Sequence, residues 1–165
     1  MLILGVDPGT ATTGYGIVIK ENYDLHLRDY GVVRTESSLA PEVRLRQIHQ
    51  QISDRIDEHK PDAVAVEKLF FNKNVRSAMS VGQARGVVLL AAAQQDKDLL
   101  QFTPPEVKSA VTGNGAASKK QVQIMVRSLL GMEEIPRPDD AADALAVAIC
   151  GVQNLGWENK LEEQR

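Results

Sequence analysis

Short apolar runs separated by turn residues fill the first part of the chain and predict three strands. Residues 2–6 are continuously apolar and end at Asp7-Pro8-Gly9, as expected for a buried strand that is stopped by a turn. Further runs at 15–19 and 25–33 are joined by the polar stretch 20–24, which is typical of a hairpin connection. The chain is therefore expected to begin with an antiparallel meander.

A helical pattern follows the meander. Between residues 41 and 59 the apolar positions recur at three- and four-residue spacing, and the segment begins with a proline, which suits the first turn of a helix. A short apolar run at 63–66 then predicts a fourth strand, and Glu67 comes directly after it.

Residues 74–94 predict a second long helix, which carries a stripe of small residues. Ala78, Gly82 and Gly86 recur every four residues. Because each glycine in a helix interior costs about 1 kcal/mol relative to alanine, the stripe indicates that another element approaches this helix closely. That element is either a helix or sheet of the same chain or a second subunit.

Two capping boxes mark the helices in the last third of the chain. Residues 99–103 predict a fifth strand, after which Thr103 precedes Glu106 by three positions, as Ser118 precedes Gln121. The helix that starts at Ser118 is expected to end near residue 131, and a last helix is predicted over 140–152. This order of elements predicts an α/β fold with a five-stranded mixed sheet and helices on both faces.

Length and composition favour one domain in a reducing compartment. The chain has 165 residues, 43% of them hydrophobic, so we expect one domain over 1–156 and a polar, flexible tail over 157–165. The single cysteine, Cys150, excludes an internal disulfide framework. No apolar stretch approaches the ~20 residues of a membrane span, and the short apolar start lacks the basic flank of a signal peptide. A cytoplasmic protein without membrane contact is expected.

The charge of the chain is segregated along the sequence. The formal net charge of −3 argues against a generic nucleic-acid binder. Residues 68–127, however, contain nine cationic and three anionic residues and carry a net charge of +6. This basic segment is either a solvated scatter of charges or a surface for an anionic partner.

Four carboxylates are the strongest candidates for chemistry. Asp7 and Glu67 each follow a predicted buried strand, and Asp140 and Asp143 share one helix face because they are three residues apart. Each acid alone has an ordinary explanation in a turn or a helix end, where Asp139 or Asp140 can act as the cap. If the alanine-rich last helix lies against the strands, all four groups converge. Such a cluster holds either protons or a metal, and oxygen ligands suit Mg²⁺ or Mn²⁺.

Several short motifs then occur in one order and spacing. They are Gly5-Val6-Asp7-Pro8-Gly9-Thr10, Thr13-Gly14-Tyr15-Gly16, Glu67-Lys68-Leu69-Phe70, Lys73-Asn74, Gly82-Gln83-Ala84-Arg85-Gly86, Val107-Lys108, Gln121-Val122-Gln123 and Asp140-Ala141-Ala142-Asp143-Ala144-Leu145. Through them the chain resembles the RuvC family of bacterial crossover (Holliday) junction endodeoxyribonucleases, which have a ribonuclease H-like fold. The resemblance covers residues 2–149 and implies a structure-specific nuclease of homologous recombination and DNA repair.

The resemblance also implies a metal site and a reaction. Asp7, Glu67, Asp140 and Asp143 match the four metal-binding carboxylates of the family, and Asp139 is then the helix cap. Two Mg²⁺ ions per subunit are implied, with Mn²⁺ as a possible substitute. One ion would activate water and the other would stabilise the leaving 3′-oxygen during in-line hydrolysis. The products would carry ligatable 5′-phosphate and 3′-hydroxyl ends.

Basic and aromatic residues are the expected DNA contacts. The resemblance places one lysine near the scissile phosphate at Lys108 and a second, catalytic one at Lys119, for which the adjacent Lys120 is the alternative. Phe70 matches a base-stacking phenylalanine of the family, whereas Phe71 either packs in the core or makes a second DNA contact. The full expected set is Phe70, Phe71, Lys73, Arg76, Lys108, Lys119 and Lys120.

The implied partners are four-way junction DNA, a second copy of the chain, and the RuvA and RuvB junction-migration proteins. A homodimer is expected because two symmetric nicks need two active sites related by a two-fold axis.

Two alternative functions stay open. The motif from Asp7 to Thr10 also resembles the phosphate loop of actin-like ATPases and sugar kinases, and the basic segment with Phe70 would suffice for a junction-binding module without catalysis.

Overall fold

The computed structural model describes residues 1–68 and 75–162, with side chains described except at 75–77 and 156–162. The elements in chain order are β1 (Leu2–Asp7), β2 (Thr12–Glu21), β3 (Asp24–Arg34), α1 (Pro41–His59), β4 (Ala63–Glu67), α2 (Val75–Gln94), β5 (Asp98–Phe102), α3 (Pro104–Thr112), α4 (Lys119–Leu129) and α5 (Asp139–Glu162).

The strands form one five-stranded mixed sheet in the order β3-β2-β1-β4-β5. β1 pairs antiparallel with β2 and β2 with β3, whereas β1 and β4 are parallel, as are β4 and β5. The predicted mixed sheet is therefore confirmed, including the initial meander. β1 lies at the centre of the sheet, and both of its neighbours pair with it along most of its length.

The helices cover both faces of the sheet, because alternate strand residues point to opposite sides. On one face, Ile3 and Ala65 pack in a buried cluster with residues of α3, α4 and α5. On the other face, Leu4 and Val66 pack with residues of α1 and α2. Cys150 is buried in the first cluster, as expected for a small core residue.

Helix α5 is longer than the sequence predicts. It begins at Asp139 and continues to Glu162, ten residues beyond the predicted end at 152, and so includes most of the segment that the sequence assigns to a tail. The carbonyl oxygen of Pro138 accepts the N–H groups of Ala141 and Ala142, so Pro138 occupies the cap position. The prediction that Asp139 caps this helix is wrong, because Asp139 already lies in its first turn. None of the helices within the described ranges is long and apolar enough to cross a membrane.

Candidate active site

The carboxyl ends of β1 and β4 place two acids at the same edge of the sheet. The parallel register pairs Val6 with Val66, and Asp7 and Glu67 follow as the last residues of their strands. Both side chains are partly buried. The turn after Asp7 is fixed by the buried Thr13, whose Oγ1 donates a 2.7 Å hydrogen bond to the carbonyl oxygen of Gly9.

Helix α5 brings the other two acids to this edge because its first turns lie directly on the sheet. A Cβ atom at Gly14 of β2 would collide with the backbone carbonyl of Asp140, and a Cβ atom at Gly5 of β1 would collide with that of Ala144. Only glycine permits this approach of helix backbone to strand backbone. The small residues of both elements therefore determine how close Asp140 and Asp143 come to Asp7.

A cavity of about 290 Å³ opens between these strand ends and helices α3, α4 and α5. Its lining includes three of the four predicted carboxylates and two lysines, and the remaining lining residues are apolar. The lining residues are Asp7, Glu67, Lys108, Lys119, Asp143, Pro104, Val107, Val122, Ala146 and Val147.

Burial and mutual repulsion shift the titration of the acids. Burial, followed by the charges of Asp143, Glu67 and Asp140, raises the pKa of Asp7 to about 7, and the charge of Lys119 partly opposes this. Burial and the charge of Asp143 raise the pKa of Glu67, and the charge of Lys108 lowers it. The influence of Asp140 on Asp7 shows that it belongs to the same electrostatic cluster, although it does not line the cavity.

The side chain of Lys119 contacts this cluster of acids. Its Nζ atom lies 2.8 Å from Oδ2 of Asp143 and 3.6 Å from Oδ2 of Asp139. The hydrogen bond with Asp143 is the main cause that raises the pKa of Lys119. Ser118 positions the lysine: its hydroxyl accepts the N–H of Gln121 in the predicted capping box, so α4 begins with Lys119 as its first residue.

The donor set suits a hard divalent cation in charge and in chemical type. All four predicted ligands are carboxylates, the oxygen donors that Mg²⁺ and Mn²⁺ prefer, and a cation would relieve the repulsion that raises the pKa of Asp7. Within the described ranges, no three Asp, Glu, His or Cys side chains stand close enough to hold an ion between them. Asp143 is turned toward the ammonium group of Lys119 instead.

The structure describes some of the other predicted DNA-contacting residues and not others. Lys108 lines the cavity, whereas the exposed Lys120 does not. Phe70, Phe71 and Lys73 lie outside the described residues. Arg76 belongs to α2, but its side chain is not among those described. Their roles in DNA binding stay predictions.

Sequence reasoning missed one polar contact next to the site. Arg85 of α2 donates from Nε to the backbone carbonyl of Glu67 at 3.2 Å, and one of its terminal amino groups donates to the side-chain oxygen of Gln101. The signal in the sequence was the glycine-flanked motif around Arg85. Its spacing from Glu67 reveals no contact, because 18 residues separate the two positions.

Comparison with known proteins gives consistent matches over nearly the whole chain. The family model for crossover junction endodeoxyribonuclease RuvC matches residues 3–151. A protein of Pelotomaculum thermopropionicum named crossover junction endodeoxyribonuclease RuvC is 51% identical over 162 residues, covering 98% of this chain and 99% of its own length.

Solved structures agree with these sequence matches. The structure of RuvC from Thermus thermophilus superimposes with a TM-score of 0.86 at 36% identity, covering 94% of this chain and 97% of that one. The Thermus thermophilus RuvC in complex with a Holliday junction substrate gives a TM-score of 0.87 at 37% identity, covering 92% and 93% of the two chains.

Proposed function

Because this chain belongs to the RuvC family of crossover junction endodeoxyribonucleases, it is a Holliday junction resolvase, and we propose that its phosphodiester hydrolysis takes place in the cavity at the ends of β1 and β4. One observation carries the proposal: acids from two strand ends and one helix share this cavity with two lysines. Carboxylates alone would repel a phosphate, so the arrangement needs cations between the protein and the DNA backbone.

We propose that Asp7, Glu67, Asp140 and Asp143 hold two Mg²⁺ ions, with Mn²⁺ as a substitute. When bound, the ions supply activation of the attacking water and stabilisation of the leaving 3′-oxygen. Oδ2 of Asp143 now accepts the lysine hydrogen bond, so this oxygen becomes available to a cation when it releases Lys119. The freed ammonium group and that of Lys108 then face the cavity, where a phosphate replaces the carboxylate as their partner.

The test is the treatment of a mobile four-way junction with the protein in Mg²⁺, and separately in EDTA. We expect paired, symmetric nicks in two strands of like polarity only with Mg²⁺, and products that DNA ligase can reseal without further processing. A linear duplex of the same sequence is the control and should stay intact. Binding without nicking in Mg²⁺ and Mn²⁺ would favour the non-catalytic module, and turnover of ATP would favour the nucleotide-binding lobe.

We also propose that α2 forms the contact between two subunits. Its outward face carries Met79, Gln83, Gly86 and Leu90, none of them charged, and Met79 and Leu90 are 66% and 49% exposed. Among the residues that the structure describes, a Cβ atom at Gly86 would meet no atom within 4 Å. The glycine therefore destabilises the helix without gaining a close contact with any described residue of the same chain, and a second copy would supply that contact. RuvA and RuvB are proposed as further partners on the family resemblance alone.

Changing Gly86 to glutamate is expected to dissociate this dimer. The space around Gly86 is open, so the single chain accepts the side chain, but in a dimer the added charge becomes buried without a partner. We expect the dimer dissociation constant to rise about 100-fold, measured by analytical ultracentrifugation. The matched control is Gln51→Glu on the exposed side of α1, which adds the same charge elsewhere. Equal association of the two variants would place the subunit contact away from α2.

A further inference from the structure

Arg85 connects helix α2 to the ends of two neighbouring strands. Its Nε donates to the carbonyl oxygen of Glu67 at 3.2 Å, and a terminal amino group donates to Oε1 of Gln101 on β5. The side chain is partly buried, and the bond to Glu67 is itself partly shielded from solvent. A single guanidinium group thus holds β4 and β5 at the point where the chain leaves the sheet.

Glu67 is still paired with Phe102 of β5, but its pairing with β1 has ended. The register of β4 with β1 ends at the pair Val66 and Val6, so Glu67 extends beyond its pairing with β1. On the opposite side, the N–H of Lys68 donates to the carbonyl of Phe102 at 2.7 Å. Arg85 supplies the donor for the carbonyl of Glu67. Because this carbonyl belongs to the peptide plane next to the Glu67 Cα, the direction of the glutamate side chain depends on it.

The effect of Arg85 on Glu67 is geometric. The charges that shift the pKa of the Glu67 carboxyl are those of Asp143 and Lys108. Arg85 contacts the backbone of Glu67 and does not contact its carboxylate. Removing the arginine is therefore expected to change where the carboxylate points, with little change in its charge.

We propose that Arg85 is a positioning residue that aims the Glu67 carboxylate at the metal site. The inference rests on the proposed function, because it assumes that Glu67 binds the cation. It goes further in assigning a role to a residue that contacts the backbone of Glu67 and the side chain of Gln101. The rival possibility is that Arg85 binds a DNA phosphate, and in that case its removal would weaken junction binding and reduce the salt dependence of that binding.

The test compares wild type with Arg85→Met, which keeps a long side chain but has no donor. Mn²⁺ affinity is measured without DNA by electron paramagnetic resonance, and the Mn²⁺ concentration for half-maximal junction nicking is measured separately. We expect the Mn²⁺ affinity to fall about tenfold and the Mn²⁺ concentration for half-maximal nicking to rise about tenfold, as is typical when a residue that orients a metal ligand is lost. The junction dissociation constant in EDTA and its salt dependence should stay unchanged. Arg85→Lys, which keeps a positively charged donor group, should recover part of the Mn²⁺ affinity.

Two controls separate the possible outcomes. Arg46→Met removes the same charge from an exposed position on α1 and should leave Mn²⁺ affinity unchanged. Unchanged Mn²⁺ affinity in Arg85→Met would overturn the inference, as would weaker junction binding with a smaller salt dependence. If Arg85→Met fails to fold, the comparison rests on Arg85→Lys, whose Mn²⁺ affinity should fall below that of wild type at equal melting temperature. A wild-type protein that binds no Mn²⁺ would refute the metal site itself, and this inference with it.

Discussion

Replacing Asp7 with asparagine is expected to abolish junction nicking and to leave junction binding intact. The two side chains have the same shape, but the amide cannot supply the negative charge that holds a divalent cation. Asp7 belongs to the electrostatic cluster, since burial raises its pKa most and the charges of Asp143, Glu67 and Asp140 all raise it further. We expect a loss of at least about 10³-fold in the nicking rate, comparable to the removal of a principal electrostatic group from an active site. The nicking rate is measured with saturating protein in Mg²⁺, and the dissociation constant is measured in EDTA.

The same substitution is expected to stabilise the metal-free protein at alkaline pH. The pKa of Asp7 in the folded state is raised from 3.8 to about 7. The protonated group therefore favours folding, and this contribution is complete below pH 4 and is lost as the pH rises through 7. Asparagine does not ionise, so Asp7→Asn should be more stable than wild type above pH 7 by about 1–4 kcal/mol. Near pH 4 the two proteins should have similar stability.

Urea unfolding in EDTA between pH 4 and pH 9 measures this difference, and added Mg²⁺ should remove it by stabilising only the wild type. The control is Asp57→Asn, which neutralises an exposed acid on α1. Nicking that survives in Asp7→Asn would refute the proposed site. A stability difference that does not depend on pH would instead show that neither burial nor the neighbouring acids raise the pKa of Asp7 in the folded protein.

The fold follows largely from local patterns in the sequence. Helix α1 has the predicted bounds, Pro41–His59, because a proline at its start and a regular apolar stripe define it without help from distant residues. Strand β2 is longer than predicted, since Lys20 and Glu21 pair with β3 although neither is apolar. Helix α5 continues to Glu162, beyond the end at 152 that the sequence predicts. Once a helix is formed, each further residue adds a hydrogen bond without needing a core contact.

The site could be predicted only in part. The positions of Asp7 and Glu67 follow from strand ends, and the approach of α5 follows from its alanines, whereas the part that Gly14 plays is seen only in the structure. The contacts of Arg85 with Glu67 and of Lys119 with Asp143 could not be predicted, because they join residues 18 and 24 positions apart through side-chain conformations. Sequence spacing determines which element carries a residue. It does not determine which partner that residue's side chain reaches in three dimensions.

The contact between Lys119 and Asp143 bears on which of two adjacent lysines acts at the phosphate. Both follow the cap Ser118, but successive helix residues point about 100° apart, so only one of them can face the cavity. Both lysines are exposed, but only Lys119 lines the cavity, and its ammonium group forms a hydrogen bond with Asp143. In the metal-free protein, Lys119 and Asp143 neutralise each other at the position where cation and phosphate would bind.

Changing Lys119 to methionine is therefore expected to slow junction nicking by about 10²–10³-fold, the usual effect of removing one group that stabilises charge in the transition state. Lys120→Met is the matched control, since it removes the same charge one residue away, and its nicking rate should stay within about threefold of wild type. The Mn²⁺ affinity of Lys119→Met should not fall and should rise if the lysine competes with the cation for Asp143. The comparison needs single-turnover nicking rates at saturating metal together with Mn²⁺ titrations of both variants. Equal losses in the two variants would point to a general attraction of the DNA by positive charge, and a larger loss in Lys120→Met would assign the phosphate contact to that residue.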